Sequence, residues 1–233
     1  MVENINTPLE PFVQDGIEKY IFVSNYVMNL SDAPDRSAVI YPGSDLKMFQ
    51  RGGAPIPDDA IGMVYRLEED KLMGDSIQVF IKVVKKRPQT KAYIVGGGIL
   101  FDSYRNQTIN EGVAENFVFT GYVAYEKLPE YYRKLSLFVA PVWSESFGQV
   151  SPFAMSMKIP VVGYNIGALP EILGSADCLR KDPTKLAELI IGLLDDRQKR
   201  IEIGTANYAR ACDFFSIENM IRKYDLLYSR LLK

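Results

Sequence analysis

Two cations five positions apart, Arg66 and Lys71, are the first candidates for chemistry in this sequence. They follow a short apolar run, and open α/β sheets bind ligands in the loops that follow the carboxyl ends of their strands. A guanidinium and an ammonium group together could neutralise a diphosphate. The alternative is a charge-compensated surface loop, because Glu68, Glu69 and Asp70 stand between the two cations.

Two glycine-containing turns could also hold an anion. Residues 96–98 are three glycines after an apolar run, and residues 145–148 lead into a helix that we expect to begin near Gln149. Backbone N–H groups at a helix N-terminus bind phosphate, but glycine turns after strands also occur for conformational reasons alone. The residues that follow Gly98 do not complete the G-x-G-x-x-G fingerprint, which disfavours an NAD-dependent oxidoreductase.

Some residue types are missing, and their absence excludes whole classes of chemistry. The chain has no histidine, so a Ser-His-Asp triad and a histidine-ligated metal are both impossible. It has no Asp-x-Asp pair, so we expect no metal and no cofactor, with Arg66 and Lys71 supplying the charge opposite a diphosphate. The spacing of Cys178 and Cys212 predicts neither a zinc site nor a disulfide.

The composition is typical of a folded globular protein. The chain has 233 residues, of which 47% are hydrophobic and 24% charged, and its net charge is −2. This charge gives no attraction to nucleic acid or to an anionic membrane. No apolar run reaches the ~20 residues that a membrane span needs, and the N-terminus lacks a signal pattern. We therefore expect a cytoplasmic protein.

Short apolar runs alternate with amphipathic stretches from residue 61 onward, which predicts an α/β fold with a doubly wound, Rossmann-like parallel sheet. The predicted strands are 61–65, 92–95, 117–119, 135–141 and 159–163. A helix is predicted over 76–87, and three more over 184–233. The apolar spacing of the last helix, from Ile217 to Leu231, indicates packing rather than a ligand site.

The sequence pattern of residues 1–60 differs from that of the rest of the chain and is typical of a connector. They contain two strand candidates, 20–23 and 38–41, and a glycine- and proline-rich stretch at 51–57. We therefore divide the chain into an N-terminal connector, 1–60, and a Rossmann-like domain with C-terminal helices, 61–233.

Seven segments in chain order resemble motifs of one enzyme family. Arg66 and Lys71 stand at the spacing of a "GRL...K" motif, and Glu145 with Gly148 matches "E.fG". The segments are residues 23–24, 41–49, 65–71, 94–98, 118–123, 135–148 and 160–171. Together they resemble the C-terminal, donor-binding domain of family 4 glycosyltransferases, which are retaining enzymes of the GT-B fold. The resemblance implies a nucleotide-diphosphate sugar as donor, with UDP the commonest nucleotide and GDP possible.

The resemblance also implies roles for individual residues. Arg66 and Lys71 would bind the diphosphate and stabilise the leaving nucleotide, and Glu145 would bind hydroxyl groups of the donor sugar. The remaining implied contacts are Gly97 and Gly98 to the nucleotide, Tyr122 and Val123 beside the base, and Phe147, Gly148, Gln149 and Val150 at the phosphate.

Three positions depart from the family pattern. Phe153 stands where the family has a second glutamate, which accepts hydrogen bonds from ribose and which a phenyl ring cannot replace. Tyr65 and Leu72 replace the glycines that flank Arg66 and Lys71 in the family. We therefore expect nucleotide binding to be weakened or shaped differently.

The length departs as well, because a GT-B enzyme has an N-terminal acceptor-binding domain that does not fit before residue 20. The chain could be an excised portion of a longer enzyme, one subunit of a split enzyme, or a domain that binds without catalysing. The alternatives to a glycosyltransferase donor domain are a non-catalytic nucleotide-sugar-binding or scaffolding module and a sugar-nucleotide epimerase of the same fold. In each case the sugar or glycan acceptor would bind outside this chain.

Overall fold

The N-terminal residues form a small parallel sheet of three strands, in the order β1-β2-β3. The computed structural model describes residues 1–7, 15–31, 35–53 and 55–232. The strands are β1 (Val2–Ile5), β2 (Lys19–Phe22) and β3 (Ser37–Val39), and helix α1 (Asn25–Leu30) connects the last two. Both predicted strands of this segment are confirmed, and β1 is an addition. Its sequence, VENI, is too short and too polar at its centre to give a strand pattern.

A six-stranded parallel sheet forms the main body, in the order β6-β5-β4-β7-β8-β9. Its strands are β4 (Ala60–Val64), β5 (Lys91–Val95), β6 (Phe117–Phe119), β7 (Leu137–Ala140), β8 (Val161–Tyr164) and β9 (Leu179–Arg180). The five predicted strands are confirmed within a few residues. Strand β9 was not predicted, because its two residues are too few to show any periodicity.

The order of the strands reverses between β4 and β7, so the loops that follow these two strands leave the sheet in opposite directions. The chain builds outward from β4 to β6, then returns to the centre and builds outward again from β7 to β9. Such a reversal is the topological switch point at which open α/β sheets bind ligands. The doubly wound α/β class is therefore confirmed.

Helices cover both faces of this sheet. They are α2 (Gln78–Lys86), α3 (Phe101–Asn110), α4 (Leu128–Tyr132), α5 (Val150–Ser156), α6 (Leu169–Leu173), α7 (Pro183–Asp195) and α8 (Arg197–Phe214). The last helix, α9 (Ile217–Leu231), contacts the N-terminal segment through Met220 and Tyr224. Helix α2 packs against α7, and α5 packs against α8. Because crossovers between parallel strands are right-handed, α2 and α5, which lead in opposite directions along the sheet, lie on opposite faces. Every residue of β4 and β7 is buried between them.

The three predicted C-terminal helices are confirmed as α7, α8 and α9, although Lys233 lies outside the described residues. The prediction that the apolar side of α9 is packed is only partly correct. Ile221, Tyr228 and Leu231 remain 50%, 44% and 38% exposed. The helical spacing predicted the amphipathic face correctly, but spacing cannot tell whether a neighbouring element covers it.

One carboxylate ties the N-terminal segment to the main body. Glu171 accepts hydrogen bonds from the backbone amides of Asn25 and Tyr26, both at 3.0 Å, from the Asn25 side chain at 2.9 Å and from the Tyr41 hydroxyl at 3.2 Å. The Ser44 amide also donates to the Phe215 carbonyl at 2.7 Å.

Within the described parts of the chain, none of the helices combines the length and the apolar composition that a membrane-spanning helix needs.

Candidate functional site

The switch point brings together two residues that are 74 positions apart in sequence. Lys71 follows β4 and Glu145 follows β7, and the Lys71 ammonium group donates a hydrogen bond to Glu145 Oε1 at 2.9 Å. The Glu145 side chain is 1% exposed and that of Lys71 is 27% exposed. The structure therefore joins two of the predicted catalytic residues in one ion pair at the carboxyl edge of the sheet.

Two opposing effects act on the pKa of the Glu145 carboxyl group. Burial raises its pKa above the ordinary value, and the Lys71 ammonium group and the amides of Ser146 and Phe147 oppose this rise. Glu145 Oε2 is buried and accepts no hydrogen bond from any described residue. One oxygen of the carboxylate thus holds the lysine, and the other retains its capacity to accept a hydrogen bond.

Gly148 provides the space that this carboxylate occupies. A Cβ atom at Gly148 would lie 2.2 Å from Glu145 Oε2, a distance that real atoms cannot adopt. The Glu145 backbone is also held, because its carbonyl accepts a hydrogen bond from the Ala168 amide at 2.8 Å. The space beside Gly148 is therefore occupied by the Glu145 carboxylate, whereas the sequence predicted that a phosphate would approach the chain there.

Arg66 lies on the same loop as Lys71 but is more exposed. Its guanidinium group pairs with Asp70 at 2.7 Å, and the two side chains are 65% and 52% exposed. Such an exposed ion pair contributes little to stability, so a ligand can displace it readily. Arg66 lines a cavity of about 210 Å³, and four other predicted site residues line it too: Gly97, Tyr122, Val123 and Val150.

Gly97 and Gly98, which follow β5, have different structural roles. Gly97 lines the cavity beside Arg66, and its carbonyl accepts a hydrogen bond from the Leu67 amide at 2.9 Å. Gly98 has a φ of +149°, and a Cβ atom there would lie 2.4 Å from the Leu67 carbonyl oxygen. Gly98 therefore allows the turn to pack closely on the loop after β4, and it does not line the cavity.

A second cavity, of about 270 Å³, lies next to the first, on the side of Lys71. Lys71, Phe147 and Gln149 line it, and the Gln149 amide group donates to the Gly43 carbonyl at 2.8 Å. Helix α5 begins at Val150 with Gln149 at its N-cap, as predicted. Asn6 and Thr7 also line this cavity, and no sequence pattern indicated them, because only the fold brings the N-terminal segment there.

Phe153 lies in the core and not on the wall of either cavity. Its side chain is 4% exposed, and its ring stacks on Phe49 with the centroids 3.9 Å apart. The rings of Tyr125 and Tyr132 meet its edge at 5.9 and 6.5 Å. The position that carries a ribose-binding glutamate in the family pattern is here part of an aromatic cluster.

Comparison with protein families gives one match that covers most of the chain. Residues 46–210 match the family described as "Glycosyl transferases group 1". This range includes both cations, Glu145 and every other residue of the two cavities except those from the N-terminal segment.

A D-inositol 3-phosphate glycosyltransferase of Corynebacterium efficiens is 27% identical to this chain over 203 residues. The match covers 78% of this chain and 48% of the relative, so the chain spans about half the length of that protein.

Two solved structures share the fold. Anabaena Alr3699/HepE in complex with UDP and glucose superposes with a TM-score of 0.83 at 19% identity, covering 98% of this chain and 71% of that one. The C-terminal domain of the Francisella tularensis group 1 glycosyl transferase LpcC superposes with a TM-score of 0.68 at 24% identity. That alignment covers 75% of this chain and all of the LpcC domain.

Proposed function

Because this chain belongs to the group 1 family of glycosyl transferases, we propose that it is the donor-binding half of a retaining family 4 enzyme with the GT-B fold. The donor would be a nucleotide-diphosphate sugar bound across the two cavities. The ion pair of Lys71 with Glu145 carries this proposal, because it places a cation and a hydrogen-bond acceptor side by side at the switch point.

The two cations suit the diphosphate of such a donor. When the bond from the anomeric carbon to the diphosphate oxygen breaks, negative charge collects on the leaving nucleotide. Arg66 can leave Asp70, and Lys71 can shift from Glu145 towards a phosphate oxygen, without either cation crossing the site. These two side chains provide the positive charge, and the proposal needs no metal ion.

Glu145 is suited to hold the sugar. Its Oε2 atom has no donor among the described residues, and a sugar hydroxyl is a donor of the right kind. If Lys71 turns to a phosphate, Oε1 becomes available as well. A carboxylate that accepts two hydroxyl groups would fix the orientation of the sugar relative to its diphosphate.

The cavity beside Arg66 suits the nucleotide. Gly97 allows the ring of Tyr122 to lie directly against the chain, because a Cβ atom at Gly97 would be 2.7 Å from that ring. The ring is 76% exposed and can stack against a base. A uridine nucleotide is the first choice, because the Anabaena protein of the same fold binds UDP. A GDP-sugar is the second.

The acceptor would bind to a part of the enzyme outside these 233 residues. The chain corresponds to about half of the Corynebacterium relative, and the isolated LpcC domain of the same fold is a C-terminal domain. We expect that other part to bind the sugar or glycan acceptor and to close over the donor.

Phe153 favours a second candidate, a module that binds nucleotide sugars without catalysing transfer. Because its ring is enclosed by other aromatic residues, no carboxylate at this position can meet a ribose. Slow hydrolysis of UDP-glucose by the chain alone would support a catalytic donor site, whereas binding without any hydrolysis would favour the module.

Calorimetry with UDP-glucose, GDP-mannose and UDP, each with and without EDTA, tests the donor site directly. We expect saturable binding of at least one nucleotide sugar that EDTA does not change. A thermal shift should accompany it, because a ligand at 100 times its dissociation constant adds about 2.7 kcal/mol of stability. Absence of binding by all three ligands would contradict the proposal.

A further inference from the structure

A third cavity, of about 360 Å³, opens at the same edge of the main sheet but on the face covered by α2 and α7. The loops after β4, β7, β8 and β9 form it, and Ser76 and Pro183, which stand at the starts of α2 and α7, contribute to its wall. It shares no lining residue with the two donor cavities. Its volume is within the range of small-molecule sites.

Trp143 forms a rigid aromatic wall at the mouth of this cavity. Its indole N–H donates to the Glu69 carbonyl at 2.9 Å, and its backbone amide donates to the Lys71 carbonyl at 3.1 Å. These bonds fix the ring while 41% of the residue remains exposed. An indole face that is already fixed loses little entropy when it stacks on the apolar face of a sugar ring.

The opposite wall provides positive charge. Arg180 and Lys181 line the cavity, and within the described parts of the chain neither forms an ion pair. The Arg180 guanidinium is positioned by hydrogen bonds to the carbonyls of Asp177 and Leu179, at 2.9 and 2.7 Å. An oriented guanidinium beside a lysine is suited to a phosphate group.

Polar groups between these two walls could bind hydroxyl groups. The Asp75 carboxylate and the Asn165 amide line the cavity, together with the phenol of Tyr164. The wall beneath them is firm, because Ser76 donates to the Pro141 carbonyl at 2.9 Å and accepts from the Met73 amide at 3.0 Å. An apolar pocket with a few fixed polar groups is the usual form of a specific ligand site.

We propose that this cavity is a second carbohydrate site, which takes a pyranose that carries a phosphate group. The sugar ring stacks on Trp143, its hydroxyl groups meet Asp75 and Asn165, and its phosphate meets Arg180 and Lys181. This proposal does not rest on the assignment of the donor site, because the third cavity shares no lining residue with the donor cavities.

The chain has a single tryptophan, so indole fluorescence reports on the surroundings of Trp143. These surroundings include the loop of Arg66 and Lys71, to which Trp143 is hydrogen-bonded, so a control with UDP is needed. The experiment titrates the full chain with glucose 6-phosphate, glucose and inorganic phosphate, each with and without saturating UDP. We expect a saturable change in Trp143 emission with glucose 6-phosphate and at least tenfold weaker binding of glucose. Phosphate alone should leave the emission nearly unchanged, because it does not reach the indole.

Variants establish the location of the bound ligand. Lys181→Ala, which removes an exposed side chain, and Arg180→Ala should each weaken glucose 6-phosphate at least fivefold. Lys82→Ala is the matched control, because Lys82 is exposed on α2 and does not line the cavity. The proposal is overturned if no probe changes the emission, if Lys181→Ala has no more effect than Lys82→Ala, or if UDP competes with the sugar phosphate.

Discussion

The ring of Phe153 lies flat against that of Phe49, with the centroids 3.9 Å apart and the ring planes within 4° of each other. Phe49 comes from the segment before the main sheet, and Phe153 from the middle of α5. The side chain that replaces a ribose ligand of the family pattern therefore joins two parts of the core.

Phe153→Glu should destabilise the protein by several kcal/mol, because it places a carboxylate among aromatic rings with no partner. Phe153→Leu, which keeps the position apolar, is the control and should cost less. Urea denaturation measures both changes. UDP affinity per folded molecule should be the same in all three proteins, and a stable Phe153→Glu variant with tighter UDP binding would show that a ribose site survives here.

Arg66→Ala and Lys71→Ala should weaken UDP about tenfold or more and leave uridine nearly unaffected, because each removes a charge-assisted contact to phosphate. Arg66→Lys should also weaken UDP, since an ammonium group cannot form the two parallel bonds of a guanidinium. Arg230→Ala, on the exposed side of α9, is the control. Calorimetry with the two ligands checks this. Equal weakening of UDP and uridine would mean that the substitutions act through folding.

The stability of the protein should depend on pH through Glu145. Burial raises the pKa of this carboxyl in the folded state, so between the unfolded and the folded pKa the native protein holds a proton that the unfolded chain has lost. Stability contributed by Glu145 therefore falls as the pH rises from about 4.5 towards neutrality. Glu145→Gln should remove that dependence. Urea denaturation of both proteins from pH 4 to 7 measures it, and parallel curves would contradict the prediction.

Gly148→Ala should disrupt the proposed donor site, because the added methyl group meets Glu145 Oε2 at 2.2 Å and must push the carboxylate away from Lys71. We expect at least tenfold weaker binding of UDP-glucose. Gly192→Ala is the matched control, since no atom lies within 4 Å of the added methyl group. That change, near the end of α7, should stabilise the protein by about 0.5 to 1 kcal/mol. Calorimetry measures the binding of UDP-glucose by both variants, and urea denaturation measures their stability.

Glu171→Ala should release the N-terminal segment from the main body, because four donors from Asn25, Tyr26 and Tyr41 lose their shared acceptor. We expect a loss of about 2 kcal/mol or more. Hydrogen exchange should become faster in residues 19–31 and 35–41 and stay unchanged in β4 and β7. Glu188→Ala, on the exposed side of α7, is the control. Uniform acceleration over the whole chain would mean that the two parts unfold together.

The sequence by itself determined the parallel α/β architecture and the loops that form the candidate site. Alternating apolar and amphipathic stretches have a local cause, the period of each element, so five strands of the main sheet could be predicted from them. Arg66 and Lys71 were candidates because they follow a predicted strand of a parallel sheet, where ligands bind. The role predicted for Glu145 came from the resemblance to the family motif.

The tertiary structure alone decided what each of these residues touches. No local pattern relates Lys71 to Glu145, Phe153 to Phe49 or Glu171 to Asn25, because each pair joins segments far apart in sequence. The same is true of Trp143 with Arg180 and Lys181, which line one cavity only because β7 and β9 lie on the same side of the switch point. Periodicity fixes which face of an element is apolar, and the packing of the whole chain determines which residues that face meets.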